Sequence, residues 1–177
     1  EGQKLVDAQE EEIEALFDAP ATNGGTIDHV GIATDSYLEH VLERFGSDLS
    51  GLKIVVDCAN GAYAHLAPKA FEQLGAHVFA IGDEPDGTNI NVGCGATDLH
   101  ALQQAVTSRA FDLGVAFDGD GDRMLAVDAS GNAIDGDQIL AVLALARRVD
   151  LVAVTVMTNL GFHKLMEDHG IRVVTTD

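Results

Sequence analysis

Three aspartates, each separated from the next by a single glycine, form the part of this chain whose spacing most clearly allows chemistry. They are Asp118, Asp120 and Asp122, and Arg123 follows directly. Carboxylates this close repel one another, so ionising all of them is costly without a counter-charge. A hard divalent cation such as Mg²⁺ takes oxygen ligands and would resolve that conflict. We therefore expect these aspartates to bind one Mg²⁺ ion.

Apolar runs on both sides of this acidic loop predict that it joins two strands, at residues 113–117 and 124–128. Upstream, short apolar strands alternate with amphipathic helices. The predicted order is a strand at 53–57, a helix from the Asn60-Gly61 turn to Gly75, a strand at 77–81, and a helix from a cap at Asp98 to about Arg109. This alternation predicts a three-layer α/β/α fold with a mainly parallel mixed sheet. Ligands bind at the carboxyl ends of such strands, where the acidic loop falls.

We interpret residues 34–148 as one complete domain, closed by a helix that Asp137 caps. Residues 1–33, with an acidic helix from Asp7 to about Phe17, are predicted to end a preceding domain. Residues 149–177 are predicted to begin a following one. That β-α-β unit has a strand at 151–156, a helix at 159–169 and a strand at 171–174. We expect a piece of a longer protein, because the chain starts at a glutamate and ends directly after a strand.

The composition narrows the classes of partner. The 177 residues are 46% hydrophobic and carry a formal net charge of −19. Such a surface repels nucleic acid and anionic membranes, so we expect neither as a partner. No apolar run reaches the roughly 18 residues needed to span a bilayer. Cys58 and Cys94 are expected to be reduced thiols, in keeping with a cytoplasmic location.

The acidic loop is also compared with three other kinds of site: a solvated turn, an EF-hand and a phosphatase nucleophile. A solvated acidic turn is the simplest, because Asp-Gly turns are common. An EF-hand is excluded, since its sixth position is Arg123 instead of glycine and its twelfth is Ala129 instead of glutamate. A phosphatase that uses Asp118 as its nucleophile stays open.

The remaining polar clusters favour structural roles. The glycine-rich loop at 87–95 matches neither dinucleotide nor P-loop signatures and is predicted to be a structural loop. Seven scattered histidines lack zinc-ligand spacing. Asp135 and Asp137 could hold a second metal, but a helix cap at Asp137 is the simpler interpretation.

The acidic loop and its surroundings resemble the α-D-phosphohexomutases. The run from Asp112 to Arg123 is similar to the metal loop of that superfamily. Residues 54–62 resemble the opening strand and turn of its second domain. Further segments resemble the phosphoglucosamine mutase branch more than the phosphomannomutase/phosphoglucomutase branch. They are residues 84–91, 95–98, 127–128, 131–132, 134–137 and 157–161.

The resemblance implies four domains around a cleft and assigns Asp118, Asp120 and Asp122 as Mg²⁺ ligands. A phosphoserine in the first domain would complete the site, with Arg123 neutralising charge near its phosphate. The serines of this chain do not lie in a context like that of the family's serine loop. They are Ser36, Ser47, Ser50, Ser108 and Ser130. The chain alone is therefore expected to be inactive.

For the complete protein, the resemblance implies interconversion of glucosamine 6-phosphate and glucosamine 1-phosphate through a 1,6-bisphosphate intermediate, which also serves as primer. The phosphosugar is then the expected partner, and a homodimer the expected assembly. The alternatives are a phosphomannomutase/phosphoglucomutase of the same superfamily and a stand-alone, non-catalytic metal-binding domain. The sugar-recognition loop would lie beyond Asp177.

Overall fold

The computed structural model describes residues 4–20, 24–26 and 34–176. The chain divides into two compact units, residues 1–32 and 33–177. The first unit contains α1 (Asp7–Glu14), none of whose residues is buried. This helix is shorter than the predicted one, because residues 15–18 form turns that expose Leu16 and Phe17. Much of the glycine-rich stretch that follows lies outside the described residues.

Five strands form the main sheet of the second unit. They are β1 (Lys53–Asp57), β2 (His77–Ile81), β3 (Leu113–Phe117), β4 (Met124–Asp128) and β5 (Ala133–Ile134). Their order is β2-β1-β3-β4-β5, with β2, β1 and β3 parallel and β4 and β5 antiparallel. The first four strands have the bounds predicted from the sequence. The sheet is mixed because the acidic loop turns the chain back directly, without a crossover helix.

Helices cover both faces of this sheet, as the continuous apolar strands predicted. The second unit contains α2 (Thr34–Phe45), α3 (Ala67–Gln73), α4 (His100–Ser108), α5 (Gly136–Arg147) and α6 (Leu160–Asp168). Side chains of β1 alternate between the faces: Ile54 and Val56 join a cluster with α3, whereas Val55 packs with residues of α4. The core therefore lies in two layers, one on each side of β1.

A second, smaller sheet follows, with β6 (Leu151–Thr155) parallel to β7 (Arg172–Thr176). Its buried face packs against α5 and α6, with Val152, Val154 and Met166 in one cluster with α5. The strand-helix-strand order agrees with the predicted one. The proposed boundary after residue 148 stays a prediction, and α5 shares its core with the strands that follow it.

One of the predicted helix caps is wrong. Asp135, not Asp137, is the N-cap of α5: its carboxylate accepts from the Gln138 amide at 2.9 Å. The Asp137 carboxylate instead accepts the Asn159 backbone amide at 2.8 Å. At α4, the N-cap position Leu99 has no side-chain capping bond, and Asp98 supplies the predicted cap: its carboxylate accepts the His100 amide at 3.2 Å. The error at α5 is two residues, because Asp135 and Asp137 both lie near the start of that helix and compete for the same role.

Candidate metal centre

The acidic loop is the tight connection of the β3–β4 hairpin. Phe117 and Met124 form the last pair of the ladder, and the loop spans residues 118–123. The backbone amide of Arg123 donates to Asp118 Oδ1 at 3.1 Å, and that of Gly121 donates to the Asp118 carbonyl at 3.1 Å. Gly121 has φ +78°, a left-handed conformation that glycine adopts without strain. The loop therefore curls around Asp118.

The hairpin brings all three predicted ligands together. Asp118, Asp120 and Asp122 each offer a carboxylate oxygen, and these oxygens lie within 4.8 Å of one another. Asp118 is 1% exposed, whereas Asp120 and Asp122 are exposed to solvent. An all-oxygen, anionic donor set of this kind suits Mg²⁺, which commonly binds through a few carboxylates and retains water or phosphate as further ligands. The three residues fit the ion that the sequence predicted.

Arg123 supplies the positive charge at this centre. Its Nε donates to Asp118 Oδ2 at 2.7 Å and lies 3.6 Å from Asp122 Oδ1. The hydrogen bond from the Arg123 backbone amide, followed by its side-chain bond and charge, lowers the pKa of Asp118 despite burial. Asp118 is thus held as a carboxylate. Each of its oxygens retains a second lone pair, so these bonds leave it able to bind a cation.

An open groove borders the loop on the β4 side. It has a volume of about 330 Å³ and is lined in part by Asp118, Arg123, Thr97, Met124 and Gly136. The aspartate and arginine side chains at its wall place both charges of the centre next to space that a small molecule can enter.

The turn after β1 packs directly against the backbone of the acidic loop. The Ala62 amide donates to the Gly119 carbonyl at 2.8 Å. A Cβ on Gly61 would lie 2.7 Å from the Gly119 Cα, so only glycine allows this approach. Ala59 and Asn60, in the same turn, have φ of +55° and +49°, which is uncommon for residues other than glycine. The turn is therefore held in a specific shape at the site.

Asp57, at the end of β1, is a buried carboxylate whose role the sequence did not predict. It is 0% exposed, and its oxygens accept the backbone amides of Ala59 at 3.0 Å and Gly95 at 2.8 Å. Burial raises its pKa, against the effect of these two hydrogen bonds. The sequence signal for such a role was a carboxylate at the end of an apolar strand, three residues before the Asn60-Gly61 turn.

The two thiols are free and buried. Burial raises the pKa of Cys58 to about 12, and burial also raises that of Cys94. Since the thiolate is the reactive form, both thiols are poor nucleophiles.

The other polar clusters have structural partners. The carboxylate of Asp86 accepts the Thr88 and Asn89 amides and so shapes the glycine-rich loop. Asp135 caps α5 and Asp137 binds Asn159, so the structure assigns both carboxylates to hydrogen bonds within the fold. Among the described residues, no helix is both long and apolar enough to cross a membrane.

The chain is similar to known phosphohexomutases. Residues 35–131 match the family model described as phosphoglucomutase/phosphomannomutase, alpha/beta/alpha domain II. A curated phosphoglucosamine mutase of Pelotomaculum thermopropionicum is 49% identical over 189 residues, which cover 99% of this chain and 42% of that protein. A phosphoglucosamine mutase of Thermobifida fusca is 48% identical over 187 residues, covering 99% and 41%. The chain thus spans about two fifths of the length of these relatives.

Solved structures agree in fold. A phosphoglucomutase/phosphomannomutase family protein from Burkholderia thailandensis aligns with a TM-score of 0.66 at 23% identity, covering 80% of this chain and 32% of that one. An N-acetylglucosamine-phosphate mutase, a member of the α-D-phosphohexomutase superfamily, aligns with a TM-score of 0.57 at 21% identity, covering 81% and 35%. At these identities the likeness concerns the fold alone.

Proposed function

Because the chain belongs to the α-D-phosphohexomutase superfamily, in its phosphoglucosamine mutase branch, we propose that the complete protein interconverts glucosamine 6-phosphate and glucosamine 1-phosphate. This chain would contribute the metal centre of that enzyme. The observation that supports this most is the convergence of three aspartate oxygens within 4.8 Å at the β3–β4 turn. Asp118, Asp120 and Asp122 are the proposed Mg²⁺ ligands.

Phosphoryl transfer requires mainly positioning and stabilisation of charge. When bound, Mg²⁺ would supply a Lewis acid for phosphate oxygens. The residues of this chain have separate tasks: Asp118 is fixed and kept ionised by Arg123, while Asp120 and Asp122 face solvent. The Arg123 side chain is 74% exposed, so its guanidinium is open to an arriving phosphate as well.

The phosphoryl donor is proposed to be a phosphoserine elsewhere in the complete protein. It would transfer its phosphoryl group to the free hydroxyl of the sugar monophosphate, giving the 1,6-bisphosphate. The bisphosphate would then return its other phosphoryl group to the serine. Since that serine is expected outside this chain, we propose that residues 1–177 alone lack mutase activity.

The substrate assignment is tested by assaying the complete protein with Mg²⁺ and a bisphosphate primer. Glucosamine, mannose and glucose phosphates are compared side by side. A clear preference for glucosamine phosphate is expected. A preference for mannose or glucose phosphate would contradict the substrate but keep the metal centre, and labelled phosphate trapped on Asp118 would instead indicate a phosphatase.

The metal assignment is tested by Asp120→Asn in the complete protein. This change removes one charged ligand but keeps the size of the side chain, so kcat should fall at least about a hundredfold, as when a key electrostatic group is lost. Near-normal turnover at saturating Mg²⁺ would contradict the assignment. Asp112→Asn is a suitable control, because Asp112 precedes β3 at the opposite end of the strand and its carboxylate accepts the Lys53 amide at 2.9 Å.

A further inference from the structure

Two charged side chains are buried in the described part of the chain, Asp118 and Asp57. Asp118 belongs to the proposed metal centre and is paired with Arg123. Asp57 has no cationic partner within the described residues, and both of its oxygens are used by backbone amides. Burying a carboxylate without a counter-charge is costly. An apolar residue at the end of β1 would be buried at a lower cost in free energy, which indicates that the carboxylate is needed for its two hydrogen bonds.

The first bond leads to the acidic loop through the turn after β1. Asp57 Oδ1 accepts the Ala59 amide at 3.0 Å, which fixes the start of a turn containing two left-handed residues. Three residues further on, the Ala62 amide donates to the Gly119 carbonyl at 2.8 Å. Gly119 lies between Asp118 and Asp120. The turn that Asp57 fixes is therefore bonded to the backbone between two proposed ligands.

The second bond leads to the other side of Asp118. Asp57 Oδ2 accepts the Gly95 amide at 2.8 Å. Gly95 has φ +71°, and a Cβ there would lie 2.5 Å from the Phe117 carbonyl oxygen. Phe117 is the residue directly before Asp118. One carboxylate thus holds two backbone segments, and these contact the chain immediately before and immediately after Asp118.

We propose that Asp57 is a positioning residue of the metal centre, which clamps the Ala59 turn and Gly95 against Phe117 and Gly119 so that the three aspartates of the acidic loop converge. The inference rests on the proposed metal centre, and it assigns Asp57 no contact with metal or substrate. Outer residues that orient metal ligands commonly change metal affinity by about 10- to 100-fold when they are replaced.

Asp57→Asn in the complete protein is the direct test. The asparagine has nearly the same shape but one acceptor oxygen, so its amide group faces either the Ala59 or the Gly95 amide as a second donor. Mn²⁺ alone is used as the probe, and its binding is followed by electron paramagnetic resonance. We expect Asp57→Asn to weaken Mn²⁺ binding at least about tenfold.

Asp112→Asn is the matched control, since Asp112 also binds a backbone amide of β1, that of Lys53, but at the opposite end of the strand. The Mn²⁺ affinity of Asp112→Asn should stay within about twofold of that of the unaltered protein. Thermal unfolding measures the stability of both variants. Unchanged Mn²⁺ affinity in Asp57→Asn would overturn the inference, and so would an equal loss in both variants. No Mn²⁺ binding to the unaltered protein would instead overturn the metal centre itself.

Amide hydrogen exchange in the unaltered protein provides a test that needs no variant to fold. If the hydrogen bonds of Asp57 are coupled to the acidic loop, binding of Mg²⁺ must in turn stabilise these bonds. Exchange at the Ala59 and Gly95 amides should therefore slow when Mg²⁺ is added, while that at Lys53 stays the same. Equal exchange at Ala59 and Gly95 with and without Mg²⁺, in a protein that binds it, would contradict the coupling.

Discussion

Gly61→Ala is expected to separate the turn after β1 from the acidic loop. The new Cβ would lie closest to the Gly119 carbonyl oxygen, and only 2.7 Å from the Gly119 Cα. Both partners are backbone atoms, so no side-chain rotation can relieve the contact. Gly61 does not have a positive φ, and the effect is therefore steric and not a matter of backbone strain.

The size of the effect follows from this distance. Carbon atoms prefer a separation of about 3.5 Å or more, so the two segments must move apart by at least about 0.8 Å, and the closer carbonyl oxygen adds to this displacement. A shift of that size stretches the bond from the Ala62 amide to the Gly119 carbonyl, now 2.8 Å, beyond useful range. Overpacking costs about 1–3 kcal/mol and a lost hydrogen bond about 1 kcal/mol. Alanine stabilises the protein by about 0.4–1 kcal/mol because it restricts the unfolded chain. The free energy of unfolding should therefore fall by about 2 kcal/mol.

Urea unfolding of the complete protein measures this loss, and Mn²⁺ binding measures the displacement of the loop. Gly136→Ala is the control, because Gly136 borders the groove beside the same loop and a Cβ there meets nothing within 4 Å. Alanine is also the better helix former, so this variant should be as stable as the original or more so. If Gly61→Ala matched the control in both stability and Mn²⁺ affinity, the close packing of turn and loop would be refuted.

Two further predictions concern carboxylates away from the metal centre. Asp135→Ala should lower the free energy of unfolding by about 1 kcal/mol, because it removes the N-cap of α5. Asp135→Ser should retain most of that stability, since serine is also a good N-cap. Urea titration measures both variants, and an equal loss of stability in the two would contradict the cap. Hydrogen bonds from the Asn132 side chain, and then from backbone amides, hold the pKa of Asp128 below its ordinary value of 3.8. Its contribution to stability should be present above pH 3.8 and be lost as the pH falls through the lower native pKa. Asp128→Asn should remove this part of the acid dependence in urea titrations at a series of pH values, and an unchanged dependence would argue against the assignment.

The sequence predicted the strands and the acidic loop because both depend on local patterns. An apolar run such as residues 113–117 determines its own conformation and burial, and Asp118, Asp120 and Asp122 are brought together by a turn of six residues. The helix α2 was not predicted, and neither was β5, which has two residues and is defined by pairing with β4. Asp57 was missed as part of the site for a related reason: Gly95, one of its partners, is 38 residues away in the chain. Contacts of that kind follow from topology, which a local pattern does not contain.

The charges of the proposed centre also explain why its parts differ in exposure. By formal charge, three aspartates and one arginine leave two negative charges, the number that one divalent cation neutralises. Asp118, the buried member, makes the shorter ion pair with Arg123, 2.7 Å against 3.6 Å for Asp122, because a buried carboxylate needs a partner more than an exposed one does. Asp120 and Asp122 are exposed, so water solvates their carboxylates. A phosphate arriving at a centre neutralised by such a cation would add negative charge, and Arg123, already bound to Asp118, would offset only part of it. Under the proposed function, the remaining positive charge for a phosphosugar would therefore come from residues outside the acidic loop.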